Sequence, residues 1–444
     1  MAGQTRDRAA SAGAKRAPPR PQAGARGANT SDGRTERRQT RQAALAYNTN
    51  GNTLFKAGEY AKAAELFTQA LALHPDNPRY FFSRGNCYRN LGDNQRCLFD
   101  YSMAVRLDPS AQYYANRGVI FRKLGRLEDA LSDLTQAVSM DPANSAYCFS
   151  RALILGDLGE KKRAVDDFTA AIELAGETGG SQTLKAHLHR GMLWHSLGRY
   201  REAARDQRTV LASDKNNAQA LNALALALGA MGDHGEALAL YDQALRIDSR
   251  TATFLVNRAG SLRALARYAE ALSDMHAAIA LTPDDAALHA HLGEVLLDAG
   301  ALEDAADALK NAVDRAPRRA EFRLAHGRAL YLLGEMPRAR QQMEAAIAAE
   351  PTLARAHFQL ALVLHHQGKF ADALASLDRC VSLDSTTDAP HVAAAAVLLD
   401  TGDADEALAR VDHAVTLDPR SVQSRLIRSR ALLALGRPDA ALED

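Results

Sequence analysis

Asn50-Gly51-Asn52-Thr53-Leu54-Phe55-Lys56-Ala57-Gly58-Glu59-Tyr60-Ala61-Lys62-Ala63-Ala64-Glu65-Leu66-Phe67-Thr68-Gln69-Ala70-Leu71-Ala72-Leu73-His74-Pro75 holds two short helical patterns separated by the turn Gly58-Glu59-Tyr60. Small residues stand where two helices must touch, at Gly51, Ala63 and Ala70, and the larger Leu54 and Phe67 fill the space around them. Pro75 has no amide hydrogen to offer another helical turn, so the second helix ends before it. The same pattern returns to the end of the chain at a step of about 34 residues.

Counted from Ala44, the eighth position of successive repeats reads Gly51, Gly85, Gly118, Ala152, Gly191, Ala225, Ala259, Gly293, Gly327, Ala361, Ala395 and Ser429, all small. The twentieth is alanine throughout, from Ala63 to Ala441, except for Cys97. Small side chains let two helix backbones approach closely, and a column of them predicts a helix contact in every repeat. Each helix pair alone would expose an apolar face that only the next pair can cover.

These columns and the closing prolines (Pro75, Pro109, Pro142, Pro283, Pro317, Pro351, Pro419) resemble the tetratricopeptide repeat family, from Ala44 to Asp444. The resemblance implies an all-α fold: a right-handed superhelical solenoid of antiparallel helix pairs, twelve tandem repeats with the last incomplete. The first helix of each pair is expected to line a concave groove. Repeats one to four span 44–178, the Gly-rich stretch 179–183 reads as an inserted loop, and repeats five to twelve span 184–444. Repeat twelve stops at Asp444 partway through its second helix, which reads as a fragment or as an end that leans on a partner.

Residues 1–43 carry ten Lys/Arg against Asp7, Asp32 and Glu36, a balance of +7, so the repeats carry −6 of the overall +1. With no Leu, Ile, Val, Phe, Tyr or Trp, this tail has nothing to bury and is expected to be disordered. It lacks the apolar face of a transit peptide, and no apolar run is long enough to span a bilayer, so the expected location is cytoplasmic. A cytoskeletal or ciliary setting follows from family habit alone.

Chemistry finds little to work with. Cys87, Cys97, Cys148 and Cys380 form no Cys-x-x-Cys pair and read as small core residues. His187, His189 and His195, and the pair His365-His366, lack the spacing of metal ligands. No Walker loop, dinucleotide fingerprint or nucleophile elbow is present, so neither enzymatic activity nor a cofactor is expected. The arginine at position 7 of several repeats (Arg84, Arg117, Arg151, Arg190, Arg258, Arg428) is expected to pack its stem and pair its head with an acid of a neighbouring helix.

The groove is the remaining candidate. The resemblance implies inward-facing positions 2, 5, 6, 9, 12 and 13 of each first helix, which assigns Asn48, Asn52, Phe82, Asn86, Arg89, Asn116, Arg122 and Lys123 to a peptide-binding site. Amides donate and accept, so a row of them holds an extended peptide backbone of any sequence. The cations favour acidic side chains, and Phe82 offers an apolar anchor. The expected partner is therefore a protein or an extended acidic peptide. Specific nucleic-acid binding is not expected, because the inward places drift to alanine and leucine late in the chain, at Ala290, Leu324 and Ala325.

The family's chaperone-tail clamp fits only at Asn52. Asn48, Ser83, Gln112 and Asn116 hold its other places, so its cations are missing. The reading is a non-enzymatic scaffold or adaptor in assembly or transport. The alternative is the targeting arm of a larger enzyme, such as a cytosolic glycosyltransferase, whose asparagine ladder is matched here only by Asn116 and Asn257.

Overall fold

The computed structural model describes residues 31–176 and 180–444 as two compact units that divide between Leu174 and Ala175. Among the described residues the regular elements are helices, with no strand. The first unit contains α1 (Ser31–Lys56), α2 (Tyr60–Leu73), α3 (Pro78–Asn90), α4 (Asn94–Leu107), α5 (Ala111–Lys123), α6 (Leu127–Met140), α7 (Ser145–Asp157) and α8 (Lys161–Ala175). The second unit opens with α9 (Gly180–Ser196), α10 (Tyr200–Ser213), α11 (Ala218–Ala230), α12 (His234–Ile247), α13 (Ala252–Ala264), α14 (Tyr268–Leu281), α15 (Ala286–Asp298) and α16 (Leu302–Arg315). It continues through α17 (Ala320–Leu332), α18 (Met336–Ala349), α19 (Ala354–His366), α20 (Phe370–Leu383), α21 (Ala389–Thr401), α22 (Ala404–Leu417), α23 (Val422–Ala434) and the short α24 (Pro438–Leu442).

Two boundaries differ from the sequence reading. The expected disordered tail 1–43 lies outside the described residues up to 30, but its last part is helical. The helix α1 starts at Ser31 instead of Ala44. Ala, Arg, Gln and Glu are good helix formers, and a folded first repeat supplies the nucleus from which they extend. The expected loop 179–183 is also largely helix, because α9 begins at Gly180 and adds an extra turn ahead of repeat five. Residues 177–179 lie outside the described residues.

Within each unit, consecutive helices pair through short turns and each pair packs on the next. The small column at position 8 does what the sequence predicts, and the structure identifies what it receives. A large side chain at position 24 of the same repeat inserts against it: Phe67, Tyr101, Leu134, Phe168, Tyr241, Met275, Leu309 and Met343, all fully buried. A Cβ at Gly51 would lie 2.9 Å from the Phe67 ring, and one at Gly293 would lie 2.4 Å from Leu309. The four cysteines are buried. Burial pushes the Cys97 thiol up to about 11, so it behaves as a small apolar side chain.

Between the two helices of a repeat the chain turns through a residue of positive φ, as at Gly58 and Gly232. Ala266 takes this place in repeat seven at φ 55°, a conformation that costs an L-residue roughly 1 kcal/mol. First helices are started by side-chain caps: Asn77, Ser110, Asn144, Asn217 and Asp285 each accept from a backbone N–H in the first turn.

The position-7 arginines form buried ion pairs sixteen residues downstream, within their own repeat. Arg84, Arg117, Arg151, Arg190 and Arg258 hold Asp100, Asp133, Asp167, Asp206 and Asp274 through two hydrogen bonds each, at 2.6–2.9 Å. Arg428 does the same to Asp444. Burial drives Asp100 up, and its bonds to Arg84 only partly offset this. Burial also penalises Asp206, but the bonds from Arg190 and His187 outweigh it and hold the carboxyl below its ordinary range. The repeats without the arginine (Asn50, Leu224, Leu292, His326, Leu360 and Ala394 at position 7) also lack the aspartate. The pair is thus present or absent as a unit, as expected when either charge alone would be stranded in a dry contact.

Candidate peptide-binding groove

In the first unit, α1, α3, α5 and α7 are the first helices of their repeats. The α1–α3 and α5–α7 pairs touch directly. Their buried faces carry Ala44, Gly51, Tyr80, Gly85, Tyr113, Gly118 and Ile120. That leaves the intervening polar residues at the surface, as the helical period requires.

Asn52, Lys56 and Lys123 are exposed and Asn48 is half-buried. Among the described residues none of these four makes a side-chain hydrogen bond or ion pair within the array. The other expected site residues are already engaged. Asn86 accepts a 2.6 Å hydrogen bond from the buried Tyr101 hydroxyl. Arg89 donates to the Asn116 amide oxygen at 3.0 Å, tying α3 to α5, and the Asn116 amide nitrogen donates to the Gln112 carbonyl. Arg122 pairs with Asp157 at 2.5 Å, tying α5 to α7. The Phe82 ring lies 5.3 Å from Tyr101 and 4.9 Å from Tyr113, so most of its surface serves packing between helices and little of it is left as an open anchor.

The eight expected residues therefore divide. Among the described residues Asn48, Asn52 and Lys123 make no side-chain hydrogen bond or ion pair, while Phe82 packs between helices and Asn86, Arg89, Asn116 and Arg122 bond to neighbouring residues of the array. Lys56, at the end of α1, is the open cation to add to the first group. Between α5 and α7 a cavity of about 500 Å³ is lined by Val119, Arg122, Lys123, Ser150, Leu153, Ile154 and Asp157. It gives the groove an apolar floor with a basic edge.

The tie between first helices recurs in the second unit with a fixed step: Arg263 to Asp298 and His365 to Asp400, from position 12 to position 13 of the next repeat, as Arg122 to Asp157. Asn257 donates to the Asn222 amide oxygen in the same manner. His187, in the His187–His195 group, bonds Asp206 and joins the Arg190 pair. This unit also holds a cavity of about 390 Å³ around Gly229, walled by residues from seven helices whose meeting leaves no trace in the repeat register. Among the described residues no helix is long and apolar enough to cross a membrane.

Stacked two-helix repeats with small residues at the helix contacts and a polar row on the first helices define a helical-repeat interaction fold. Family models described as tetratricopeptide repeat match residues 48–112, 111–144, 145–178, 196–252, 256–320, 302–354, 324–389 and 392–444. The chain belongs to the tetratricopeptide repeat family.

Outer dynein arm-docking complex subunit 4 of Danio rerio is 48% identical over 52 residues, 12% of this chain and 11% of that protein. The heat-shock cognate co-chaperone sgt12 of Aspergillus fumigatus is 36% identical over 61 residues, 14% of this chain and 18% of the relative. The chain thus matches only a tenth to a fifth of the length of these relatives. Among solved structures, yeast Tom70 aligns over 90% of this chain and 96% of its own, at 19% identity and a TM-score of 0.45.

Proposed function

We propose that this chain is a non-enzymatic protein-interaction scaffold whose first-unit groove holds an extended acidic peptide along α1, α3 and α5. The observation that carries this reading is the exposed set Asn52, Lys56 and Lys123, whose amide and ammonium groups have no partner among the described residues. Neighbouring groove residues of the same kinds, Arg89, Asn116 and Arg122, are consumed in ties between helices. Unspent donors on one face of a rigid helix row are pre-organised for a ligand carboxylate or carbonyl. The setting we propose is assembly of a larger intracellular complex. Its support is the short match to a protein named as a dynein arm-docking subunit.

The test is a fluorescence-anisotropy titration with a fluorescein-labelled peptide of alternating Glu and Ser. Two exposed ion pairs and one amide contact together amount to about 1.4 kcal/mol, a tenfold change in Kd. The variant Asn52→Ala/Lys56→Ala/Lys123→Ala should lose about that much affinity with its helical content intact. Asn86→Ala is not a clean probe of binding, since it also strands the Tyr101 hydroxyl. Equal affinity in the triple variant and the parent would place the acidic-peptide site elsewhere.

A further inference from the structure

At position 12, where the first helix nears its end, most repeats carry a large side chain: Phe55, Arg89, Arg122, His195, Arg263, Leu297, Tyr331, His365, Leu399 and Leu433. Repeats four and six carry glycine there, Gly156 and Gly229; a Cβ at Gly156 would meet open space, whereas one at Gly229 would face Ser261 and His234. At Gly229 the space is not refilled by neighbours, and the 390 Å³ cavity of the second unit lies around it, at the lower end of the range of ligand pockets. Its walls come from α9 to α15, with Leu226, Val256, Met275 and Val295 supplying most of the apolar surface. A Cβ at Gly229 would stand 3.3 Å from the Ser261 hydroxyl and 3.6 Å from His234 Nδ1, so the glycine opens directly onto polar groups at the back.

Two of those polar groups are unsatisfied. His195 Nε2 and His234 Nδ1 are buried and have no hydrogen-bond partner among the described residues. Burial holds the His195 ring below the ordinary histidine range. In a neutral imidazole one nitrogen donates and the other accepts, so the unpaired Nε2 calls for a hydroxyl, which can do either. A buried polar group left unpaired is costly, and a ligand hydroxyl placed to pair with it recovers that cost.

We infer that this cavity is a side-chain pocket for a tyrosine of a protein partner, its ring filling the place left open at Gly229 and its hydroxyl hydrogen-bonded to His195 Nε2. The chain itself provides the precedent, because repeat nine fills the same position with its own Tyr331, half-buried and edge-on to His366. A phenol donates and accepts, which suits His195 Nε2 in either tautomer and a second imidazole nitrogen at His234. Phenylalanine would leave both unpaired, and indole only donates. The pocket lies in the second unit and stands or falls independently of the acidic-peptide groove in the first.

The experiment uses the full chain with methyl-labelled methionine and valine, titrated with the capped peptides Gly-Ser-Tyr-Ser-Gly, Gly-Ser-Phe-Ser-Gly and Gly-Ser-Ala-Ser-Gly. The tyrosine peptide should shift the Val256, Met275 and Val295 methyl signals saturably, with at least fivefold higher affinity than the phenylalanine peptide and no saturation with alanine. Gly229→Leu should abolish the response by filling the space. His195→Phe keeps the volume and removes the ring nitrogen, and should bring the tyrosine peptide down to the level of phenylalanine. Absence of saturable shifts at those methyls overturns the inference. So does equal binding of tyrosine and phenylalanine in the parent, or an unchanged tyrosine preference in His195→Phe.

Discussion

Arg258→Ala should destabilise the protein by about 3–5 kcal/mol, the cost of leaving one partner of a buried ion pair alone. Asp274 is only 6% exposed at its side chain, and Arg258 is its ion-pair partner, at 2.6 Å. Arg258 also reaches back to Asp242 on the preceding helix at 2.7 Å, so its removal loosens two contacts at once. Its guanidinium holds its proton more tightly than usual, first through the bond to Asp274, so the parent pair stays charged at any ordinary pH. The control is supplied by repeat six, which places Leu224 and Leu240 at the equivalent positions. Arg258→Leu/Asp274→Leu should therefore regain most of the loss and stay within about 1.5 kcal/mol of the parent, as volume-conserving apolar swaps do. Urea titration followed by circular dichroism measures both, and a double variant no better than the single would refute the account of paired presence and absence.

Gly85→Val should cost about 1–3 kcal/mol by overpacking. A Cβ at Gly85 would already lie 2.7 Å from two atoms of the Tyr101 ring, and the branched methyls would have nowhere to go. Tyr101 cannot swing aside, because it is fully buried and its hydroxyl is held by Asn86. Gly260→Val, on an exposed helix face with open space around its Cβ position, is the matched control and should change stability by only a few tenths of a kcal/mol. Melting curves that coincide for the two variants would contradict the packing of position 24 onto position 8.

The small columns at positions 8 and 20 made the helix pairing legible in sequence, since close approach of two backbones leaves a compositional trace in every copy. The partner of the position-7 arginines was legible too: an aspartate sixteen residues on appears in the same six repeats and in no other. Position 24 was harder to read, because Phe, Tyr, Leu, Met and Gln207 all stand there and only shared depth of burial unites them. For the groove residues, the helix and the repeat position are legible in the sequence, but which side chains are already bonded is not. Asn86, Arg89 and Arg122 sit on first helices as the repeat register requires, yet whether a polar group is unspent depends on residues 15 to 35 positions away. Gly229 carried no signal by itself. Its meaning comes from the large residues at the same place in most other repeats and from the buried imidazole nitrogen it faces.

The most direct test of the proposed function is to locate the acidic peptide on the intact chain. A peptide of alternating Glu and Ser carrying one photoreactive phenylalanine analogue would be irradiated with the protein, and the crosslinked fragments identified by mass spectrometry. The account predicts crosslinks on α1, α3 and α5 around Asn52, Lys56 and Lys123, lost in the presence of excess unlabelled peptide. Competable crosslinks confined to second helices of the repeats, or to the second unit, would contradict it.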